Sequence, residues 1–227
     1  ENLTVMDRFI LSRLNTLVRQ VDDDLAHYRI TEPARAMAGF VDELSNWYVR
    51  RCRDRFWGSE LTADKEAAYM TLYTVLVTLT KLTAPFTPFL AETLYQNLVK
   101  RLDPAAPQSV HLLDFPAWDG ALIDPALEAD MARTLDIVVL GRACRNAAAI
   151  KNRQPVAAFY VQGEPLPEAF QGIIRDELNA KEVRFNADAG SFVDYKLKPQ
   201  LKVLGPRFGK RVPLIGKALA ATDGAAA

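Results

Sequence analysis

Apolar residues fall at Met6, Ile10, Leu14, Leu17, Val21, Leu25 and Tyr28, in steps of four and three that keep them on one helical stripe. Arg8, Arg19, Asp22 and Asp23 lie off that stripe, as a solvated face requires. Thr4 is suited to cap this helix, and Asp7 complements its positive start. A second stripe, Met37, Val41, Leu44, Tyr48 and Cys52, predicts a helix from Thr31 to about Trp57, with Pro33 tolerated in the first turn and Gly58 ending it. A third helix is expected over 63–83, with Leu72, Leu76 and Leu79 inward. Pro85 and Pro88 then break the chain, and Pro88 can open a fourth helix through Leu98. Pro104, Pro107 and Pro116 make 103–120 a structured loop with a short apolar stretch, 110–115. A fifth helix should begin at Asp124 with Pro125 in its first position and bury Leu127, Met131, Leu135 and Val138. Unbroken to Gln154, it would be about 45 Å long at roughly 1.5 Å per residue.

Beyond Pro155 the period changes. Segments 157–161 and 182–185 read as strands, with a helix over 168–178 between them. A third strand is expected near 192–197, and a helical run within 204–221. The chain therefore predicts a mainly α protein: a helix bundle over 1–154, followed by a small α/β module over 155–227. The closing TDGAAA reads as a disordered tail.

The composition is that of an ordinary globular chain of one large or two smaller domains: 227 residues, 49% hydrophobic and 25% charged. No apolar run approaches the roughly 20 residues that span a bilayer, so no membrane partner is expected. The start, ENLTVMDRF, has no signal-peptide pattern, and its first residue, Glu1, suggests a piece of a longer protein. Cys52 and Cys144 are expected to be reduced and packed, as in a cytoplasmic protein. Together with His27 and His111 they form no spaced ligand set, so no metal site is expected.

A net charge of zero hides a split. Residues 1–140 hold 14 basic and 20 acidic residues, whereas 141–217 hold 14 basic and 7 acidic. Such asymmetry suits a nucleic-acid-facing side on a neutral body. Its densest expression is GRACRNAAAIKNRQP, 141–155, where Arg142, Arg145, Lys151 and Arg153 occur without an acid. At about 100° per residue, Arg142, Arg145 and Arg153 would share a broad helical face, with Lys151 beside it. That face could follow a phosphate backbone, or it could be a solvated helix end whose cations answer the C-terminal dipole.

In WYVRRCRDRFW, 47–57, Arg50, Arg51, Arg53 and Arg55 stand between aromatic residues, a composition that can stack on bases. The same stretch can be read as core packing by Trp47 and Trp57, with the arginines neutralising nearby acids. A third basic segment comprises Lys196, Lys198, Lys202, Arg207, Lys210, Arg211 and Lys217; its LGPRFGK piece could cradle a phosphate or simply form a lysine-rich edge. It lacks the spacing of a nucleotide-binding P-loop, and no G-x-S-x-G, C-x-x-C or H-E-x-x-H occurs, so no catalytic residue is assigned.

The GRACRN…IKNRQP pattern resembles the C-terminal part of class I isoleucyl-tRNA synthetases. LSNWYVRRCRDRFW (44–57), APFTPFLAETLYQNL (84–98) and YKLKPQLKVLGPRFGK (195–210) agree with it in order, as do DRFILSRL (7–14) and SVHLLDFP (109–116). The resemblance implies an anticodon-binding helix bundle followed by a junction domain, taking tRNA(Ile) as partner and working beside a catalytic domain of the same parent chain. It also implies RNA contact near the first two helices, where Arg13, Tyr28 and Arg29 match in order alone; Arg13 can equally be a salt bridge to a neighbouring helix. ATP and Mg would belong to the parent's catalytic domain, whose HIGH-like and KMSKS-like signatures do not occur here, so this piece is expected to bind no cofactor and catalyse nothing; it is also expected to be monomeric. The rival readings are a helical protein–protein scaffold and the equivalent domain of a valine or leucine ligase. Cys52 and Cys144 depart from the small residues the pattern leads one to expect there.

Overall fold

A computed structural model describes residues 3–186 and 201–221. Its packing divides into two compact units, Glu1–Arg133 and Thr134–Ala227.

The first unit is helical. Helix α1 (Val5–Ala26) opens with a capping box: Thr4 Oγ1 accepts from the Asp7 N–H at 3.3 Å, and the Asp7 carboxylate accepts from the Thr4 N–H at 2.9 Å. Phe9, Ile10, Leu14, Val18 and Val21 fill its buried face. The predicted stripe ends early, because Tyr28 lies beyond the helix at φ +58° and is 93% exposed.

Helix α2 (Thr31–Glu43) runs into a wide π-helical turn, Leu44–Val49, and then a short α3 (Arg53–Trp57). The expected single long helix is therefore interrupted. Phe40 takes the buried position expected for Val41, and the wide turn brings both Trp47 and Tyr48 inward. Helix α4 (Ala63–Thr83) is capped by Thr62 and buries Ala68, Val75, Leu79 and Leu82, while Leu72 and Leu76 are half-buried. Helix α5 (Pro88–Tyr95) starts at its proline and ends in a second π-helical turn, Gln96–Lys100. The following loop folds back on it: the Tyr95 hydroxyl donates to the Pro107 carbonyl at 2.9 Å, and Val110 packs beside Ala91. Between α2, α4 and α5 lies an apolar groove of about 420 Å³, lined among others by Met37, Val41, Leu76 and Leu90.

A buried ion pair crosses this unit. Asp7 is fully buried; Arg55 grips it with two bonds of 2.8 Å, and the Tyr48 hydroxyl donates to it at 2.6 Å. Burial raises the Asp7 carboxyl, but the bonds from Arg55, Tyr48 and Thr4 outweigh it and hold the group below the ordinary carboxylate range. Arg55 also binds Asp64 at 2.9 Å, so the pair links α1, α3 and α4.

Helix α6 (Pro125–Ala147) contains the division between the units. It stops well short of Gln154: Ala149 takes φ +54°, which α-helix cannot accommodate, so the helix is about 35 Å long at ~1.5 Å per residue. In the second unit, β1 (Val156–Gln162) pairs in parallel with β2 (Ala180–Asn186), Val156 opposite Ala180. Helix α7 (Glu168–Leu178) connects them and buries Phe170, Ile173, Ile174 and Leu178. Asn179 closes α7 in the left-handed region, at φ +48°, a position asparagine tolerates. Helices α8 (Leu201–Phe208) and α9 (Val212–Ala221) follow, separated by a short turn with Gly209 at φ +44°. The expected strand near 192–197 and the TDGAAA tail lie outside the described residues. No helix among the described residues is long and apolar enough to cross a membrane.

Candidate nucleic-acid interface

The segment between α6 and β1 is not the cationic helix end that its sequence predicts. Ile150 N–H still donates to the Arg145 carbonyl at 2.9 Å, and the chain then makes a tight turn in which Gln154 N–H donates to the Lys151 carbonyl at 2.9 Å. Arg142 and Arg145 remain on α6, but Arg153 and Lys151 lie beyond its end, so the expected shared helical face does not form.

Arg145 is 2% exposed and points into this turn. Its Nη1 donates to the Leu178 carbonyl at 3.0 Å, and its Nη2 donates to the carbonyls of Lys151, at 2.5 Å, and Gln154. A guanidinium so enclosed has no face for a phosphate, which corrects its expected role as an RNA contact. Asn179 completes the anchoring: its Nδ2 donates to the carbonyls of Asn152 at 3.2 Å and Arg153 at 3.0 Å. The side chains of Lys151 and Arg153 are exposed and make no ion pair among the described residues.

Other expected contacts are occupied by carboxylates. Arg142 is paired with Glu177, whose side chain is 6% exposed. Arg13 bridges Glu43 at 3.2 Å and Glu128 at 3.3 Å, the salt-bridge alternative rather than the RNA one. Burial pulls the Arg13 guanidinium down, yet the two carboxylates more than compensate and hold it above its ordinary value. Glu128 also accepts from Ser12 at 2.5 Å and Thr16 at 2.8 Å, so Arg13 belongs to a polar seam joining α1 to the start of α6. Arg29 is paired with Asp23 at 2.9 Å and Asp24 at 2.8 Å.

The aromatic stretch divides. Trp47 is buried and donates its indole N–H to Met131 Sδ at 3.3 Å. Trp57 is 69% exposed, and the Arg53 guanidinium lies over its ring, 3.7 Å from the centroid. Arg50 is tied to the Asn46 carbonyl at 2.9 Å and lies 5.9 Å from the Trp47 ring centroid. Arg53 has no ion-pair partner among the described residues, so Arg53 and Trp57 present an open, positively charged stacking surface. Tyr28 and the side chains of Lys202 and Arg207 are exposed. Lys198 and the Lys210 side chain fall outside what the structure describes. Among the described residues, no group of three or more His, Cys, Asp or Glu could hold a metal ion. Both cysteines are free; Cys52 is buried, and burial pushes its thiol up, but Cys144 is exposed rather than packed.

These features lie largely within a span, residues 7–160, that matches the anticodon-binding domain of tRNA ligases. The chain belongs to that family. As an anticodon-binding domain it has relatives named isoleucine–tRNA ligase: 52% identical over 219 residues in Clostridium novyi and 46% over 220 residues in Thermus thermophilus. A protein named isoleucine–tRNA ligase 2 of Bacillus cereus is 44% identical over 214 residues. The alignments cover 96%, 94% and 92% of this chain but only 21%, 21% and 20% of the relatives. The chain thus spans about a fifth of the length of the relatives it matches.

One residue that holds the turn at 151–154, Asn179, is not singled out by sequence reasoning. It carries a usable signal, since an asparagine directly after a predicted helix is a candidate left-handed cap. That its amide would hold a turn 26 residues earlier is visible in no local pattern.

Proposed function

We propose that this chain docks the anticodon stem and loop of tRNA(Ile) for an isoleucine–tRNA ligase, whose aminoacylation with ATP and Mg takes place on a catalytic domain of the same parent chain. No HIGH-like or KMSKS-like signature for that chemistry occurs in these 227 residues. The proposed division of labour is a helical domain over 1–154 and a junction domain over 155–227, with α6, inside which the packing divides, shared by the first domain and the second compact unit. A monomer in the cytoplasm suits this role, as do the free thiols.

One observation supports the RNA reading most. Among the described residues, the expected contacts Arg53, Lys151 and Arg153 are exposed cations without carboxylate partners, whereas the expected contacts Arg13, Arg29 and Arg142 are paired. Free cations neutralise phosphates and release counterions, which provides affinity; the Arg53–Trp57 surface offers an unstacked base a flat partner. Tyr28, Lys202 and Arg207 extend the exposed set.

The test is fluorescence anisotropy of labelled tRNA(Ile) with the full chain over a salt series. The expected log–log slope is about −0.7 per neutralised single-stranded phosphate, and removing Arg53 together with Trp57 should weaken binding by about 1–3 kcal/mol per lost stacked base. Affinity insensitive to salt, or equal for an anticodon-swapped tRNA, would contradict the proposal.

A further inference from the structure

The turn after α6 has a property that goes beyond carrying two cations. All four of its carbonyls are held by protein donors. Those of Lys151 and Gln154 accept from Arg145, and those of Asn152 and Arg153 accept from Asn179. A peptide carbonyl carries partial negative charge and repels an approaching phosphate. Drawing all four onto protein donors, Arg145 from the interior and Asn179 at the surface, reduces that repulsion. The N–H groups of Asn152 and Arg153 donate to no described group. Unpaired N–H groups and cations on one turn form an electrostatic surface suited to anions.

Two further contacts make the arrangement stiff. Arg145 also binds the Leu178 carbonyl at 3.0 Å, and Val156 N–H donates to the Asn179 carbonyl at 3.1 Å, where β1 begins. The turn is therefore fastened to the end of α7 by two side chains and one backbone bond. Fastening of this kind removes loop entropy that ligand binding would otherwise have to overcome.

The geometry points to Arg145 and Asn179 as positioning residues that pre-organise Lys151 and Arg153 against the phosphate backbone of an RNA, although neither touches it. This inference rests on the tRNA-docking reading above. It also reassigns the buried arginine: Arg145 acts through the turn it holds.

Asn179→Gly isolates the effect, because glycine adopts φ +48° without strain while losing the amide that holds the turn. The measurement is a double-mutant cycle on tRNA(Ile) transcript affinity in the full chain, combining N179G with K151A/R153A. N179G alone should weaken binding about five- to tenfold and lower the salt slope by about one, the loss of one well-placed phosphate contact. On the K151A/R153A background it should change affinity less than about twofold, because its effect passes through those cations. Arg145→Lys supplies the second arm. It keeps the charge but lacks the planar fork, and it should lose affinity at unchanged net charge.

Equal losses on both backgrounds would show a general structural role and overturn the inference. Wild-type affinity in N179G would do the same while leaving the docking reading intact. An unsubstituted chain that binds no tRNA would remove both together.

Discussion

The same substitution should have opposite effects at two helical glycines. At Gly141, in α6, a Cβ would lie 2.4 Å from Leu178 Cδ1, 2.8 Å from Cδ2 and 3.2 Å from Cγ. Carbon atoms rest at about 3.5–4.0 Å, so Leu178 or the helix must move by about 1 Å. Leu178 is 1% exposed, so any shift it makes is made inside the protein interior. Overpacking a core costs about 1–3 kcal/mol, and crowding of Leu178 Cγ as well as both terminal carbons places this site in the upper part of that range, because rotating the terminal methyls does not relieve the Cγ contact. Alanine returns about 1 kcal/mol of helix propensity. Gly141→Ala is therefore expected to destabilise by about 1–2 kcal/mol. At Gly39, in α2, nothing lies within 4 Å of a Cβ. There only the propensity gain remains, and Gly39→Ala should stabilise by about 0.5–1 kcal/mol. Urea denaturation followed by circular dichroism measures both. A Gly141→Ala variant as stable as, or more stable than, the unsubstituted chain would refute the reasoning that a Cβ at this position crowds Leu178. Because the Leu178 carbonyl is an Arg145 acceptor, the same variant should also weaken tRNA binding.

Two further predictions concern the buried pair. Tyr48→Phe removes the 2.6 Å bond to the Asp7 carboxylate and leaves the ring in place, so it should cost about 1.5–3 kcal/mol in denaturant unfolding. The Asp7 carboxyl is held below its unfolded value, so its contribution is complete above the ordinary carboxylate pKa of about 4 and disappears as pH falls through the folded value. Stability measured from pH 6 to pH 2 should therefore fall more steeply in the parent than in Asp7→Asn. Parallel curves would show that Asp7 does not carry this acid dependence.

Much of the fold can be read from periodicity and punctuation. The bounds of α4 and α7, the Thr4 cap, the Pro88 and Pro125 helix starts and both strands are local matters: a hydroxyl, a proline ring or an alternation acts on its neighbours. Interruptions are less legible. The π-helical turn at 44–49 is stabilised by what Trp47 and Tyr48 reach, Met131 and Asp7, and those partners are remote in sequence. The end of α6 escapes local patterns for a related reason. Residues 148–154 contain good helix formers, but seven more helical residues would forgo the carbonyl bonds that Arg145 and Asn179 make to the turn.

Charge shows the boundary most clearly. Sequence alone established how many cations there are, where they cluster, and that the chain resembles an anticodon-binding domain. It could not separate Arg145, Arg142, Arg13 and Arg29, which are buried or paired, from Arg53, Lys151 and Arg153, which are open. An arginine's availability depends on the carboxylate or carbonyl that folding brings to it. Glu43, Glu128, Glu177 and the carbonyl of Leu178 arrive from 30 to 115 residues away. Composition records the charges, and only the packing of distant segments leaves some of them facing solvent.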